Sequence, residues 1–486
     1  MGTLHPYASL DRPFVFQSLT QDEIQLLHEA SLEIMAQTGI RFYEPEAVEL
    51  LKKAGARVSD GNRVRIPPHL VEWAMRAAPR NVTIYDRTGR RAMLLGGYRS
   101  YFGVGSDCMY IYDPYTGERR RAVLQDVQNG VRLVDALPNI NFVMSMFLPE
   151  DVPVETYERH QMAVMLLETR KPIVFVGTDL ASTIDNIEMA SVVAGGLESL
   201  QHKPFLINYV NVASPLRHNR EGVQRLLYAA GHNLPTIYLP GNKRGIDSPI
   251  TGAGAIAMGN AGQLAGLVLS QLKREGSPFI RGNPAWGEID MRAMVDVYAS
   301  PDSDRPAGWD LAHYYSMPIF GTAGCSDAKI FDAQAAAEAS LSILLHAVSG
   351  ANLVHDIGYL DCAMTGSLEL VAFCDEIIEW VRRYTRKLEI SEETLALDLI
   401  DQIGPDGNFL DTEHTLKHVR DEWRPRLIDR FSYQRWLDKG ATTLQQRANQ
   451  RVRHILETHR QEPFPEDVVS AVKAVVQRAD ERFARK

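Results

Sequence analysis

Eight short apolar runs, each followed by a segment with helical periodicity, constrain the fold of this 486-residue chain more than any other feature. Strands that alternate with helices form parallel sheets, because each helix carries the chain back to the edge where the next strand begins. Eight such units most commonly close into a barrel. The apolar runs lie at residues 100–104, 141–148, 173–176, 205–210, 236–239, 279–281, 318–321 and 352–355.

The segments between the runs predict the helices of an α/β fold, a (β/α)8 TIM barrel. An open, doubly wound sheet is the alternative, but no GxGxxG or P-loop follows the first run. The stretch between the sixth and seventh runs is less regular, with shorter helical patterns at 289–298 and 310–314. The clearer helical segments are 124–136, 155–168, 183–193, 220–231, 253–274, 332–349 and 367–384.

Three regions are expected along the chain: an N-terminal helical cap region (1–95), the barrel (96–390) and a C-terminal helical extension packed on the barrel (391–486). Thr20 and Glu23 have the spacing of a capping box at the start of the first helix. A hairpin is predicted over 110–122, directly after the first barrel strand, because a turn sequence separates two short strand patterns there.

Composition indicates which partners the protein can bind and in which compartment it is expected. The net charge of −9 and the lack of a long Lys/Arg block argue against nucleic acid. Polar residues interrupt every apolar stretch before it reaches the length of about 18 residues that a membrane span needs, so none is expected. The first residues lack a basic region followed by an apolar one, so no signal peptide is expected. Four cysteines without CxxC pairs fit a reducing cytoplasm.

Catalytic residues of such a barrel are expected at the carboxyl ends of its strands. The densest polar motif is GTAGCSDAKIFDAQAAAEAS at 321–340, in which Asp327 and Lys329 precede a helix. Polar residues also follow the other strands, among them Asp107 after the first and Asp356 after the eighth. Asp327, Lys329 and His355 are the candidate catalytic residues, and Asp332 is expected to cap the next helix instead.

Four segments together resemble the trimethylamine methyltransferase family. They are the motif at 321–340, LVHDIGYLDCAMTGSLELV at 353–371, GNFLDTEHTLKHVRDEWRPRLIDR at 407–430 and SLEIMAQTGIRFYEPEAVELLKKAGA at 31–56. The resemblance implies a TIM barrel that passes a methyl group from a methylated amine to the cobalt of a separate corrinoid protein. No tightly bound cofactor is then expected in this chain, because the partner supplies the cobalamin. A homo-oligomer is also expected.

The best-known members of that family carry pyrrolysine, and this sequence has none. The resemblance therefore implies a quaternary amine such as glycine betaine, carnitine or proline betaine, whose leaving group is already activated. Aromatic faces hold quaternary ammonium groups by cation–π attraction. The expected aromatic walls are Tyr101, Phe102, Tyr209, Trp286, Phe320 and Tyr359. Arg281, Lys329, His355 or backbone amides would bind a betaine carboxylate.

Three other functions stay open at this point. A zinc-dependent methyltransferase needs clustered ligands, for which Cys325, His355 and Cys362 are available without ligand spacing. A Schiff-base lyase would use Lys329 or Lys243 with a lowered pKa. The third is a barrel that binds a methylated amine without catalysis.

Overall fold

Eight short parallel strands form a closed ring at the centre of the protein. The computed structural model describes residues 15–285, 287–300 and 304–484. Most residues of these strands are buried, as expected where helices surround a parallel sheet. In chain order the strands are β1 (Tyr101–Gly103), β2 (Ile140–Phe142), β3 (Ile173–Val176), β4 (Leu206–Val212), β5 (Thr236–Pro240), β6 (Phe279–Arg281), β7 (Phe320–Thr322) and β8 (Leu353–His355).

The ring consists of two four-stranded sheets joined at two seams. One sheet has the order β7-β8-β1-β2 and the other has the order β3-β4-β5-β6. A single parallel bridge between Val143 and Ile173 joins β2 to β3, and a second between Arg281 and Ile319 joins β6 to β7. The closed ring confirms the predicted (β/α)8 barrel and excludes the open sheet.

A helix follows each strand and packs outside the ring. Capping explains several of the helix starts: the Asp332 side chain accepts from Ala335 N, as predicted, and the Ser367 side chain accepts from Leu370 N. The helices are α1 (Leu124–Ala136), α2 (Tyr157–Glu168), α3 (Leu180–Ala194), α4 (Arg220–Gly231), α5 (Gly252–Lys273), α6 (Arg305–Tyr314), α7 (Ala333–Ser349) and α8 (Leu368–Tyr384).

The helix predicted over 289–298 was wrong, because this segment is a β-hairpin of strands Glu288–Asp290 and Val295–Val297. The Asp290 carboxylate accepts from Arg292 N at 2.8 Å and from Ala293 N at 3.4 Å. These bonds turn the chain back after the first strand of the hairpin. The hairpin predicted after β1 is present, with strands Tyr110–Tyr112 and Arg119–Arg121.

The elements before β1 pack on the outside of the barrel. Strand Ile40–Phe42 pairs in parallel with Arg217–His218, which follows β4. Thr20 and Glu23 form the predicted capping box. Besides α-helices Gln21–Glu33, Pro45–Lys53 and Pro68–Ala77, this region holds the π-helix Ile34–Thr38, strands Arg57–Ser59 and Arg63–Arg65, and the pair Val82–Tyr85 and Arg91–Leu95.

Two long helices end the described chain and lie against the barrel helices. Leu444–Thr458 packs on α8 and α1, and Glu466–Ala484 packs on α2 and α3. Between α8 and these helices lie four short helices without a buried residue. These are Glu392–Leu395, Leu397–Ile403, Glu413–His418 and Tyr433–Asp438.

Helix α5 has the length and apolar composition of a membrane span, and within the described ranges it is the one helix that does. Of the most apolar stretch of this helix, 78% is buried inside the fold, where it packs between the barrel and the N-terminal helices. Packing in the protein core therefore accounts for its composition.

Candidate active site

Three of the predicted site residues meet inside the ring, although they come from distant strands. The rings of Phe320 and His355 stack with their centroids 4.0 Å apart and their planes at 17°. The ring of Tyr209 lies 5.5 Å from that of Phe320 and 6.3 Å from that of His355. All three side chains point into the ring, because every second side chain along β4, β7 and β8 faces the barrel axis.

His355 is held by polar groups at both ring nitrogens. Its Nε2 lies 3.2 Å from the hydroxyl of Thr322, which belongs to the neighbouring strand β7. Its Nδ1 lies 2.5 Å from Oδ1 of Asp356, a buried residue at the carboxyl end of β8. These contacts fix the orientation of the His355 ring beside Phe320.

Tyr359 lies at the barrel mouth, the opening at the carboxyl ends of the strands, on the side of His355 and Asp356. Its hydroxyl donates to the carbonyl oxygen of Ser106, which follows β1. A side chain at Gly105 would collide with both the Tyr359 hydroxyl and Asp356 Oδ1, so only glycine allows this close approach. Burial raises the pKa of Tyr359 well above its ordinary value, and the nearby negative charges add to the shift. The phenol is therefore neutral and can form a wall for a cation.

Asp107 places a carboxylate beside this aromatic wall. Its Oδ1 is shielded from solvent and has no hydrogen-bond partner among the described residues. Burial raises the pKa of the Asp107 carboxyl, side-chain hydrogen bonds from Ser106 and Gln161 oppose the shift, and the negative charge of Glu158 adds to it. An acceptor that is shielded and unpaired costs free energy unless a ligand satisfies it.

Glu158 is a second buried carboxylate on the same side. It lies in the first turn of α2 and accepts from the Thr178 hydroxyl at 2.5 Å, just after β3. The guanidinium of Arg159 lies 3.4 Å from Glu158 and also bonds Asp185 at 3.0 Å. Oε2 of Glu158 has no hydrogen-bond partner within the described part of the chain. The neighbouring Arg159 and Arg225 also have shielded nitrogens without a partner in the described part of the chain, so Glu158 lies among charges of both signs.

Asp327, a predicted catalytic residue, holds the backbone of a neighbouring loop. Its carboxylate accepts from Tyr298 N at 3.0 Å and from Ala299 N at 3.2 Å. These residues directly follow the hairpin 288–297, and the Tyr298 ring lies 6.4 Å from that of Tyr359. Asp327 therefore positions the hairpin and the Tyr298 wall of the mouth.

The structure does not bring Lys329 or Arg281 to this set. The Lys329 side chain is 65% exposed at the rim and pairs with Asp361 at 3.3 Å. Arg281 points out of the barrel toward α5, where it donates to Asn260 at 2.6 Å and to Gln263 at 2.8 Å. Burial lowers the pKa of Arg281 to about 10. Neither cation lies where a carboxylate at the barrel axis could bind it.

The remaining predicted aromatic residues differ in their placement. Tyr101 and Phe102 begin β1, at the amino end of the barrel, and both are buried. The Tyr101 hydroxyl accepts from Leu94 N at 3.1 Å, in a strand that precedes the barrel. Trp286 lies outside the described residues. Of the six predicted aromatic walls, Tyr209, Phe320 and Tyr359 therefore belong to the observed mouth.

Comparison with known proteins gives this geometry its context. The family model of trimethylamine methyltransferase (MTTB) matches residues 5–484. The trimethylamine methyltransferase MttB of Desulfitobacterium hafniense is 31% identical over 97% of this chain and 95% of its own length. The chain belongs to the trimethylamine methyltransferase family. It is a methyltransferase, like the relatives that it matches.

A second relative and a solved structure also match this chain. A glycine betaine methyltransferase of Desulfitobacterium hafniense is 30% identical, over 91% of this chain and 92% of its own length. The solved monomethylamine methyltransferase of Methanosarcina barkeri is 12% identical, covers 97% of this chain and 90% of its own, and superposes with a TM-score of 0.51. At that identity the likeness shows the fold alone, and it agrees with the closed barrel.

Cys325, His355 and Cys362, the residues considered above as zinc ligands, do not form a metal-binding cluster. Across the described ranges, no three His, Cys, Asp or Glu side chains lie close enough to hold a metal ion. Cys325 is buried, whereas Cys362 is half-buried. Burial raises the pKa of the Cys325 thiol well above its ordinary value, which keeps it protonated and a poor ligand.

The functional residues that sequence reasoning missed lie next to those it found. Glu158 sits at a helix start rather than at a strand end, so the strand-end rule did not single it out. Asp107 and Asp356 were two of many polar residues at strand ends. Their φ angles are positive, 71° for Asp107 and 73° for Asp356. This left-handed backbone conformation sets the direction of each side chain, and no sequence pattern predicted it.

Proposed function

We propose that this methyltransferase takes a methyl group from a quaternary amine, of the glycine betaine type, and passes it to the cobalt of a corrinoid held by a separate protein. One observation carries the choice of a cationic substrate. Asp107 Oδ1 and Glu158 Oε2 are shielded acceptors without partners among the described residues, beside the aromatic wall of Tyr209 and Tyr359. A ligand with a positive charge offsets the cost of leaving these acceptors buried.

A quaternary ammonium fits this environment better than a neutral amine. It cannot donate a hydrogen bond, so carboxylates and aromatic faces attract it through charge, at about 0.5–2 kcal/mol for each aromatic face. The glycine betaine methyltransferase relative supports this substrate class. His355 is the predicted carboxylate-binding residue that lies at the mouth, but Thr322 and Asp356 contact its two ring nitrogens, so a betaine carboxylate would have to displace one of them.

The chemistry asked of this chain is mainly positioning. The C–N bond breaks with its electron pair staying on nitrogen, so the ammonium becomes a neutral tertiary amine, and the methyl carbon forms its new bond to cobalt. The corrinoid supplies the electron pair for that bond. The residues of this chain hold the ammonium in line with the acceptor and exclude water, which reduces the entropic cost of the transfer.

The rim of the mouth offers a surface for the corrinoid protein. Ile246 and Ile250 follow β5, while Met291 and Met294 lie on the hairpin after β6, and each is more than half exposed. Exposed apolar patches with flexible methionines commonly bind protein partners. Direct transfer requires the cobalt to approach the mouth, so this patch is the proposed contact.

A panel assay tests the proposed function. Glycine betaine, carnitine, proline betaine, choline and trimethylamine are each incubated with the enzyme and Co(I)-cobalamin, and methylation of cobalt is followed by absorbance. Growth of methylcobalamin with a quaternary amine, matched by the demethylated amine in NMR spectra, is the expected result. Efficient demethylation of trimethylamine alone would overturn the substrate class.

The other candidate functions are separated from this one by three further measurements. A binding protein would bind a quaternary amine in calorimetry without methylating cobalt. A zinc-dependent enzyme would lose methyl transfer on chelation. A Schiff-base lyase would be trapped by borohydride on Lys329 or Lys243 in the presence of a keto-acid substrate, which supplies the carbonyl for the imine. Lys243, however, is ion-paired with Asp296 and Lys329 with Asp361, both at the exposed rim.

A further inference from the structure

A cavity of about 460 Å³ opens at the carboxyl ends of β4 and β5, on one side of the barrel mouth. Its lining differs from the aromatic wall formed by Tyr209, Phe320 and Tyr359, because most of its side chains are polar. These polar side chains are Asn211, Asn219, Asn242, Lys243 and Asp247. This side of the mouth therefore offers hydrogen bonds and a positive charge to a ligand.

Asn211 lies one layer above Tyr209 on the same face of β4. The two residues are two positions apart, so both side chains face the barrel axis, while Val210 and Val212 pack outward in the core with α4 and α5. Two residues of a strand span about 6–7 Å, a distance that a small betaine can bridge. The Asn211 side chain is exposed, and its Oδ1 lies 3.5 Å from the position that a Cβ on Gly241 would take. Its amide is therefore accessible beside the end of β5.

The backbone that carries Lys243 is fixed on both sides. The side-chain nitrogen of Asn242 donates to the carbonyl oxygens of Ala255 and Pro284, each at 2.8 Å. The backbone N–H of Lys243 donates to the carboxylate of Asp247 at 2.5 Å. The lysine side chain therefore extends from a defined point at the rim, although it is itself 47% exposed.

Lys243 also reaches the aromatic side of the mouth. It lines a second cavity, of about 50 Å³, together with Tyr298 and Thr322. The Tyr298 ring lies 6.4 Å from the ring of Tyr359, and the Thr322 hydroxyl lies 3.2 Å from Nε2 of His355. Lys243 therefore stands between the polar cavity and the residues proposed to hold the substrate ammonium.

The ion-pair partner of Lys243 can be replaced at little cost. Its Nζ lies 2.8 Å and 3.0 Å from the two carboxylate oxygens of Asp296, on the hairpin 288–297. Nearly half of each side chain is exposed, and ion pairs this exposed contribute little to stability because water and salt screen them. A carboxylate from a ligand can therefore compete with Asp296 for the ammonium of Lys243.

We propose that Lys243 and Asn211 bind the carboxylate of a betaine whose ammonium group lies against Tyr209. This inference rests on the proposed function, which supplies the ammonium site. A betaine carries opposite charges at its two ends, and the mouth then meets both: Asp107 and the aromatic rings attract the ammonium, while the lysine and the amide donate to the carboxylate.

This position suits the transfer as well as the charge. A carboxylate bound beside the ends of β4 and β5 leaves the contacts of Thr322 and Asp356 with His355 intact. It also lies at one side of the opening, so the corrinoid can still approach the ammonium. Binding at both ends orients the methylated nitrogen, which reduces the entropic cost of the methyl transfer.

The ratio of the affinities for glycine betaine and choline tests this subsite, because choline has the same ammonium group without the carboxylate. Calorimetry measures both ligands with the enzyme alone. Lys243→Met should lower glycine betaine affinity about fivefold to tenfold and leave choline affinity unchanged, whereas Lys243→Arg should retain most of the affinity. Asp296→Asn should raise glycine betaine affinity about twofold to fivefold, because Lys243 then loses its competing carboxylate.

Lys329→Met is the matched control, since it removes another rim lysine that pairs with an aspartate and should leave the ratio unchanged. Equal losses for both ligands in Lys243→Met, or weaker glycine betaine binding in Asp296→Asn, would overturn the assignment. A parent that binds choline as tightly as glycine betaine would overturn the carboxylate subsite and leave the cation site in place. A parent that binds neither ligand would overturn the proposed function as well.

Discussion

The imidazole of His355 lies flat against the ring of Phe320, with the centroids 4.0 Å apart, while its Nδ1 lies 2.5 Å from Asp356 Oδ1. One side of the ring thus contacts an aromatic face and its edge contacts a carboxylate. Tyr209 approaches the same pair from the other four-stranded sheet. The mouth is therefore aromatic on its walls and anionic at its polar contacts.

Replacement of Phe320 tests the aromatic wall. Phe320→Leu should weaken binding of a quaternary amine by about 0.5–2 kcal/mol more than binding of its neutral carbon isostere, because only the cation loses cation–π attraction. Calorimetry with the two ligands measures the difference. Phe102→Leu is the control, since Phe102 is buried at the amino end of the barrel. Equal losses for both ligands in Phe320→Leu would contradict the cation site.

Asp107→Asn should stabilise the free protein and weaken its binding of a cation. The pKa of Asp107 is raised in the folded state, so its contribution to stability is present at low pH and is lost as pH rises through the raised pKa. At pH 7 the free energy of unfolding of the variant should therefore be higher by about 1–3 kcal/mol, which thermal unfolding would measure as a higher Tm.

The same carboxyl gives substrate affinity a pH dependence of opposite sign. Parent affinity for a quaternary amine should rise with pH through the raised pKa of Asp107, because only the ionised carboxylate attracts the cation. Asp107→Asn should bind weakly and lose this dependence, as titrations across pH 4–8 would measure. A parent affinity that is flat with pH would remove Asp107 from the site.

Loss of Asp327 should free the hairpin 288–297 without unfolding the barrel. Asp327→Ala removes the acceptor of Tyr298 N and Ala299 N, so cleavage by a protease within 288–299 should become faster. The value of kcat/KM should fall by about tenfold, which corresponds to about 1.4 kcal/mol. Asp332→Ala is the matched control, because it removes a helix cap on α7 at similar cost to stability. Equal activity losses in both variants would mean that Asp327 acts through stability alone.

Two cations predicted from the sequence to bind a carboxylate should prove dispensable for binding. Lys329→Met should leave the ratio of betaine to choline affinity within about twofold, because Lys329 is exposed and pairs with Asp361. Arg281→Met should lower the free energy of unfolding by about 1–3 kcal/mol, since the buried Asn260 and Gln263 lose their donor, with KM unchanged. A selective loss of betaine affinity in either variant would return that residue to the site.

The barrel was predictable because its signal is repeated. The predicted runs overlap all eight strands, and the bounds of α1 and α4 were met at both ends. The hairpin 288–297 was missed because a short apolar pattern does not distinguish a helix from a strand, and its turn depends on the Asp290 side chain. Local sequence patterns therefore specified the layers better than the loops.

The candidate site was predictable only in part, for a reason that Arg281 illustrates. β6 is three residues long and buried on both faces, so alternation of polarity does not show which side chains point to the axis. Phe320 and His355 in β7 and β8 were identified by their position near a strand end, and Arg281 was misplaced by the same rule. Register across the ring, which decides between the two faces, is a property of the assembled sheet.

The two seams of the ring have a consequence for how the enzyme responds to its substrate. Val143–Ile173 and Arg281–Ile319 are single bridges, so the ring is weakest where the two four-stranded sheets meet. Tyr209 belongs to one sheet, and Phe320 and His355 belong to the other. A ligand that contacts all three residues connects the two sheets and stabilises the seams. Binding at the mouth should therefore slow hydrogen exchange of the seam amides more than that of amides within either sheet.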